Sequence, residues 1–424
     1  MTTSTPPDPV MQVMPSSARR DDEGALSIAG RRLDAVAAEF GTPIFVVDEQ
    51  ALRDRARLFV DGLTARRPAS EVAFASKSFP CTAVYSLMAD EGLLIDVAGA
   101  GELLMALRAG VIPANIVLHG NAKTDEELSL AIDAGVGTIV LDGFEEIDRL
   151  GSRLSRQQNV LVRVQPGVDP RTDAGVSTGQ RGSKFGIPLE QVPAAVARIR
   201  SMTNLHLEGV HMHLGSQMLE MEPWREAIPI LAGLGDFEVF DVGGGLGVQY
   251  SPDQPAPSID AYLDLVATTA GEYLPDDVRI VIEPGRSLVA QSTVTVYTVV
   301  TVKQGDPTFV AVDGGMADNM EASTYVGQRF TATLVRTPGG KDLVNVVGRQ
   351  CESGDRIAPQ VLLDHPVAGD LVVVPMTGAY THTLVNNYNG ALRPPIVFCK
   401  DGRTREVVRR ETYDELMARD VPAP

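Results

Sequence analysis

Cysteine is scarce in this chain, with three among 424 residues: Cys81, Cys351 and Cys399. An odd count with no CxxC spacing and no His/Cys cluster excludes a disulfide scaffold and a structural zinc site, so no metal is expected. Long apolar runs are missing as well. No uninterrupted stretch reaches the ~20 residues that span a bilayer, and the N-terminus lacks the basic segment and apolar core of a secretory signal. Positive charge is the minority: 37 Lys and Arg stand against 55 Asp and Glu, a formal net charge of −18. That balance excludes the clustered cations a nucleic-acid partner requires. What remains, 44% hydrophobic and 22% charged residues, implies a soluble globular protein, with the cytoplasm as its expected location.

The length exceeds one ordinary core and implies two domains. Residues 1–24 are rich in Pro, Ser and Thr and end in Arg19-Arg20-Asp21-Asp22-Glu23, which reads as a mobile tail. Residues 25–43 form an N-terminal segment with a short amphipathic helix over 33–40, expected to pack with the C-terminal domain. A strand at 44–47 opens a large domain, 44–287. From there short β-branched or apolar runs recur at 72–76, 94–97, 116–119, 138–141, 160–165, 208–214, 238–242 and 278–282, with helical patterns between them at 100–109, 124–134, 189–202 and 258–273. Alternation of this kind implies parallel strands, and about eight units is the count that closes a (β/α)8 TIM barrel. An open doubly wound sheet is the alternative. After Ser287 the pattern changes to long alternating stretches, so 288–424 reads as an antiparallel β-sandwich or barrel ending in a hairpin through Asp401-Gly402.

Catalytic groups of a TIM barrel sit at the C-terminal ends of its strands. Lys77 follows the first strand, Asp96 lies in the second, His119 ends the third, Arg163 lies in the fifth and His213 ends the sixth. Gly243-Gly244-Gly245 follow the seventh and Glu283-Pro284-Gly285-Arg286 the eighth. A glycine triplet serves a tight turn or a phosphate cradle equally well; the neighbouring Glu283 turn favours phosphate. A lysine at a strand end is usually a solvated charge, but Lys77 follows the apolar 72–75, where desolvation lowers an amine pKa and favours Schiff-base chemistry. His211 and His213 alternate onto one strand face. A backbone-bonded core histidine explains either one, and less simply both beside a phosphate loop.

Together these segments resemble the diaminopimelate/ornithine decarboxylase family, on its diaminopimelate side, from Gly30 to the C-terminus. The matching motifs are Phe74-Ala75-Ser76-Lys77, Asp96-Val97-Ala98, Gly101-Glu102-Leu103, His119-Gly120-Asn121-Ala122-Lys123, Ser183-Lys184-Phe185-Gly186 and His211-Met212-His213-Leu214-Gly215-Ser216-Gln217. They continue through Asp241-Val242-Gly243-Gly244-Gly245, the Glu283 turn, Asp313-Gly314-Gly315-Met316, Cys351-Glu352-Ser353-Gly354-Asp355 and Gly378-Ala379-Tyr380. The resemblance implies a fold-type III enzyme of alanine racemase-like architecture that uses pyridoxal 5′-phosphate (PLP) to convert meso-2,6-diaminopimelate to L-lysine and CO2. On that basis Lys77 would hold PLP, His213 would stack on its ring and Glu283 would keep the pyridine nitrogen protonated. Gly243, Gly244, Gly245, Pro284, Gly285, Arg286 and Tyr380 would bind the phosphate or line its pocket. Arg286, Tyr325, Glu352 and Tyr380 would hold the substrate, and Cys351 would reprotonate Cα. The resemblance also implies a homodimer in which Cys351 and Glu352 arrive from a second subunit.

One departure bears on the substrate. Relatives carry Arg-Pro after the Asp-Gly-Gly-Met segment, whereas this chain has Glu321-Ala322 before Ser323-Thr324-Tyr325. An acid therefore stands where a carboxylate clamp is expected, with Arg329 and Arg349 the candidate replacement cations. This opens the alternative of a same-family decarboxylase acting on a basic amino acid or a carrier-bound intermediate of specialised metabolism. Cys351-Glu352 and His213 speak against an alanine racemase, and intact Lys77, Glu283 and Cys351 against an inactive regulatory homologue. The long β-domain contradicts a single-barrel PLP-handling protein.

Overall fold

The computed structural model describes residues 8–173, 175, 177–324, 329–337 and 340–421. The chain forms a barrel unit, Arg53–Val248 with Ala256–Leu288, and a β unit, Met1–Leu52 with Gln249–Pro255 and Val289–Pro424.

Eight parallel strands make the barrel: β1 Ser70–Ala75, β2 Leu94–Val97, β3 Ile116–Leu118, β4 Thr138–Leu141, β5 Gln158–Gln165, β6 Leu205–His211, β7 Val239–Asp241 and β8 Arg279–Ile282. Each pairs with the next, and β8 returns to β1 through Val281↔Glu71, so the sheet has no free edge. Inward side chains of a closed barrel stack in layers because strand residues alternate faces. Ala73, Val117, Val140, Leu161, Val239 and Val281 form one apolar layer, with Leu94 packed against it. On β6 the same level is Gly209, where a Cβ would lie 1.8 Å from the Val239 carbonyl oxygen. Two residues later in each strand direction stand Ala75, Asp96, His119, Asp142, Arg163, His211, Asp241 and Glu283. An apolar floor thus carries a buried polar layer. Helix starts between the strands are capped by side chains: Thr124 and Glu127 form a reciprocal capping box, and Ser258 Oγ accepts the Ala261 N–H at 3.1 Å.

In the β unit the strand Thr293–Lys303 pairs antiparallel with Ile44–Asp48, Thr308–Val312 and Leu371–Val374. The expected wholly antiparallel sheet is corrected at two places. Thr308–Val312 runs parallel to Asp342–Val347, and Ile396–Lys400 runs parallel to Ile44–Asp48. The boundary at residue 44 is corrected too, since Ile44–Asp48 is a central strand of this sheet and not of the barrel. All five of its residues are buried, and a run that is apolar throughout fits the middle of either sheet equally. The closing hairpin turns through Asp401 and Gly402, both at positive φ, with Lys400 opposite Arg403.

The expected tail also differs. Residues 1–7 lie outside the described residues, but the Asp8 carboxylate caps the turn Pro9–Val13 by accepting the Val10 N–H, and Val10, Val13 and Met14 are buried. Arg20 donates to the Leu334 and Val335 carbonyls and the Thr333 hydroxyl. Three apolar side chains inside a polar, proline-rich stretch suffice to dock it.

Candidate active site

Strand β1 ends at Ala75, and the 3-10 turn Ser76–Ser78 carries the next side chain past the strand end. Lys77 Nζ lies 3.1 Å from Asp96 Oδ2 on the adjacent strand, where Ala75 and Asp96 are register partners. Asp96 is buried. The Lys77 side chain is 41% exposed, which corrects the expectation of a desolvated amine: the apolar 72–75 run is buried, but the turn delivers the lysine beyond it. An ion pair with a buried acid, more than burial, defines its surroundings.

Glu283 directly follows β8, under two imidazoles. Its Oε1 lies 2.9 Å from His119 Nε2 and its Oε2 3.2 Å from His211 Nε2, and the two rings meet edge to face with centroids 4.9 Å apart. Burial pushes the Glu283 carboxyl up, but the imidazoles outweigh it and hold the group well below the usual carboxylate range. Burial drives the His211 imidazole to about 4, so at neutral pH it supports Glu283 as a neutral N–H donor. The nearby Asp241 carboxyl is pushed well above its usual range by burial and by Glu283, while its Oδ1 accepts the Gly243 N–H at 2.8 Å. Within this coupled pair Glu283 is the more acidic carboxyl and Asp241 the less acidic. His119 Nε2 is also 3.8 Å from Asp96 Oδ1, linking this cluster to Lys77.

Ligand donors of His119, His211, Asp241 and Glu283 all lie within 4.8 Å of one another. Their mutual contacts make an acid–imidazole brace. Glu283 Oε1 and His211 Nδ1 are buried without an aligned hydrogen-bond partner, a site suited to a protonated ring nitrogen.

Beside this cluster lies a backbone cradle. A Cβ on Gly243 would stand 2.3 Å from the Met212 carbonyl oxygen, one on Gly244 2.0 Å from that of Glu283, and one on Gly245 2.3 Å from that of Gly215. Only glycine fits the triplet. The turn is held against β1 by the Ala75 N–H donating to the Pro284 carbonyl, and Gly285 leaves 3.1 Å between its would-be Cβ and the Ala75 methyl. Arg286 Nη2 lies 3.3 Å from Ser216 Oγ. Strand β6 stops at His211, so the expected shared strand face with His213 is corrected: His213 leaves the strand, and its Nδ1 accepts the Gly244 N–H at 3.2 Å. Burial and the charges of Lys77 and Arg163 hold its imidazole well below the usual range, hence neutral.

The other expected residues belong to the β unit. Cys351 is exposed, its N–H donating to Asn389 Oδ1 at 2.8 Å, and Glu352 Oε2 accepts the Tyr388 hydroxyl at 3.3 Å. Tyr380 is half-buried at φ 59°. Tyr325 lies outside the described residues. Glu321 is fully buried, and its Oε2 accepts the Tyr250 hydroxyl at 3.2 Å, with the Tyr250 ring leaning on Phe330. The acid is thus an interior group with a phenol partner, and Arg329 and Arg349 are exposed. Sequence reasoning named Glu283 but gave no role to His119 and Asp241, which complete its surroundings. The available signal was their position, two residues above the apolar floor.

Residues 50–290, more than half the chain, match the family model described as the pyridoxal binding domain of pyridoxal-dependent decarboxylases. A diaminopimelate decarboxylase of Actinosynnema pretiosum subsp. auranticum is 44% identical, covering 95% of this chain and 94% of the relative. That of Mycobacterium tuberculosis H37Rv is 37% identical over 96% of this chain and 98% of its own. A solved diaminopimelate decarboxylase from M. jannaschii, in complex with L-lysine, superposes with a TM-score of 0.89 at 28% identity, covering 97% of this chain and 99% of its own. A buried acid between two imidazoles, next to a glycine cradle and a paired lysine, is what pyridoxal phosphate requires of a barrel, and the protein belongs to the PLP-dependent decarboxylases of the diaminopimelate decarboxylase family.

Proposed function

We propose that the protein decarboxylates meso-2,6-diaminopimelate to L-lysine, with PLP held on Lys77. The observation that carries this reading is Glu283, a buried carboxylate kept ionised between two imidazoles at the strand end facing the Lys77–Asp96 pair. Bound PLP supplies an electron sink for the pair released when the Cα–carboxylate bond breaks. Lys77 anchors the cofactor through its amine, with Asp96 beside it to balance the charge of that nitrogen. Glu283 holds the proton on the ring nitrogen, which water would otherwise share. His213, fixed by the Gly244 N–H, would stack on the ring, while Gly243, Gly244, Gly245, Pro284, Gly285, Arg286 and Tyr380 would hold the phosphate. Arg286, Tyr325, Glu352 and Tyr380 hold the substrate, and Cys351 delivers a proton to Cα.

The named relatives support diaminopimelate as the substrate. The engagement of Glu321 by Tyr250 in the interior argues against repulsion of a distal carboxylate by this acid. In a CO2-release panel of meso-diaminopimelate, D- and L-lysine, ornithine, arginine and glutamate, meso-diaminopimelate should exceed each of the others in kcat/KM by roughly 100-fold or more, the scale of one or two lost charge-assisted bonds. Preference for a basic amino acid would refute the substrate and leave the decarboxylase.

Among the described residues no helix is long and apolar enough to cross a membrane. The reading includes a cytoplasmic homodimer in which Cys351 and Glu352 act at the barrel of the partner copy. Mixing inactive Lys77→Ala with inactive Cys351→Ala should then regain up to about a quarter of wild-type activity, since random exchange gives half hybrids, each with one intact site. No recovery despite proven subunit exchange would refute the sharing.

A further inference from the structure

We infer that Asp355 is a positioning residue for Cys351 and Glu352, its carboxylate tying the loop that carries them to the Asp313-Gly314-Gly315-Met316 turn. The inference rests on the reading that Cys351 and Glu352 serve the reaction, but it concerns where their loop is held and can fail separately. Asp355 is 4% exposed. Its Oδ1 accepts the Met316 N–H at 2.7 Å and its Oδ2 the Gln350 N–H at 2.8 Å, and Gln350 immediately precedes Cys351. Backbone bonds reinforce the tie: Asp355 N–H to the Glu352 carbonyl at 3.1 Å, and Arg349 N–H to the Gly314 carbonyl at 3.0 Å.

The space for the carboxylate is made by missing side chains. A Cβ on Gly348 would lie 2.2 Å from Asp355 Oδ2, and one on Gly315 2.6 Å from both oxygens. Two glycines and two inward N–H groups make a socket for one carboxylate. The far side of the socket is anchored in the sheet. The Gly315 N–H donates to Asp318 Oδ2 at 3.0 Å, and Asp318 Oδ1 accepts the hydroxyl of buried Tyr297 at 2.7 Å, on the strand Thr293–Lys303. A continuous path of hydrogen bonds therefore runs from a central strand through Asp318, the turn and Asp355 to the residue before Cys351. Cys351 and Glu352 themselves are exposed, and apart from the Asp355 N–H on the Glu352 carbonyl their hydrogen bonds described above go to the exposed Asn389 and Tyr388. An exposed loop held at its base has its position set by that base.

Asp355→Asn tests this in the holoenzyme. An amide keeps one acceptor but turns an NH2 toward the second N–H, so one of the two ties is lost at constant size. Cys81 and Cys399 are buried, so iodoacetamide at short times reports on Cys351. The expected result is a fall in kcat of about 10- to 100-fold, the scale of an ångström-sized misplacement of a reacting group, with a rise in KM as Glu352 is displaced and the visible cofactor band intact. The Cys351 alkylation rate should change at least threefold. Unchanged alkylation and a kcat within twofold of wild type would overturn the inference, as would loss of activity only in proportion to loss of cofactor and of folded protein. If the variant does not fold, hydrogen exchange on the wild type decides: the Met316 and Gln350 amides should exchange far more slowly than that of Ser353, and fast exchange at both overturns the socket. If Cys351→Ala retains full activity, the acid role of Cys351 fails, and the alkylation shift still tests the tie.

Discussion

Lys77→Ala is expected to abolish turnover, with kcat lowered on the order of 10⁴-fold or more, as when the group that carries covalent chemistry is removed. The same variant should lose the absorption band of the lysine-bound cofactor, and borohydride treatment should no longer attach pyridoxyl to the chain. Geometry gives the reason. Lys77 Nζ is placed by the turn after β1 at 3.1 Å from Asp96 Oδ2, and alanine leaves that buried acid without the cation at the mouth. The apoprotein fold should survive, because the lysine side chain is 41% exposed and packs little apolar surface. Peptide mapping after reduction of the wild type should find the pyridoxyl group on Lys77. Its recovery on Lys123 would refute the assignment; Lys123 is instead buried against the Gly120 and Val140 carbonyls and paired with Glu146.

The second large effect is expected at Glu283. In Glu283→Gln the neutral amide cannot stabilise a protonated ring nitrogen, and its NH2 would face an imidazole nitrogen that now donates. Activity should fall roughly 10²- to 10³-fold, the scale of removing a preorganised charge contact aimed at developing charge. Cofactor affinity should fall much less, since the glycine cradle is untouched, and the bound cofactor's absorption maximum should move because the ring nitrogen loses its proton. A variant with wild-type kcat and spectrum would remove Glu283 from the mechanism. His211→Phe should reproduce part of the effect by removing the donor to Oε2.

These two residues were legible in the sequence because each occupies a strand end in a regular βα rhythm. Period-two alternation explains more than was read from it. Val117 and His119, Val239 and Asp241, Val281 and Glu283 are each a floor residue and a site residue two positions apart. The rhythm locates such pairs, but only closure of the barrel brings β3, β6 and β8 around one carboxylate. The sheet that takes the strand Ile44–Asp48 is not legible in the sequence, because five consecutive buried positions carry no face, and hence no partner, in their pattern. The departure of His213 from the strand is not legible either, because the alternation of the sequence continues two residues past the point where the chain turns away. Glu321 occupies the motif position of a carboxylate clamp, and nothing local foretells that Tyr250, 71 residues earlier, caps it. Asp355 could be recognised as a motif letter, but its socket depends on two glycines and two amides from separate segments.

The strand Ile44–Asp48 has a consequence for how the protein is made. It leaves the ribosome before any of the barrel, yet its neighbours in the sheet come from much later in the message: Ile44 pairs with Val296, and Phe45 with Ile396. At about 5–20 residues per second, translation needs roughly 15–50 s to supply the first of these partners. Throughout that interval an unpaired Ile-Phe-Val-Val segment is displayed on the nascent chain, while the barrel, contiguous but for one short excursion, can already close. Synthesis is therefore the stage at which this chain most needs a chaperone, and C-terminal truncations should fail through aggregation of their first fifty residues even where the barrel is complete.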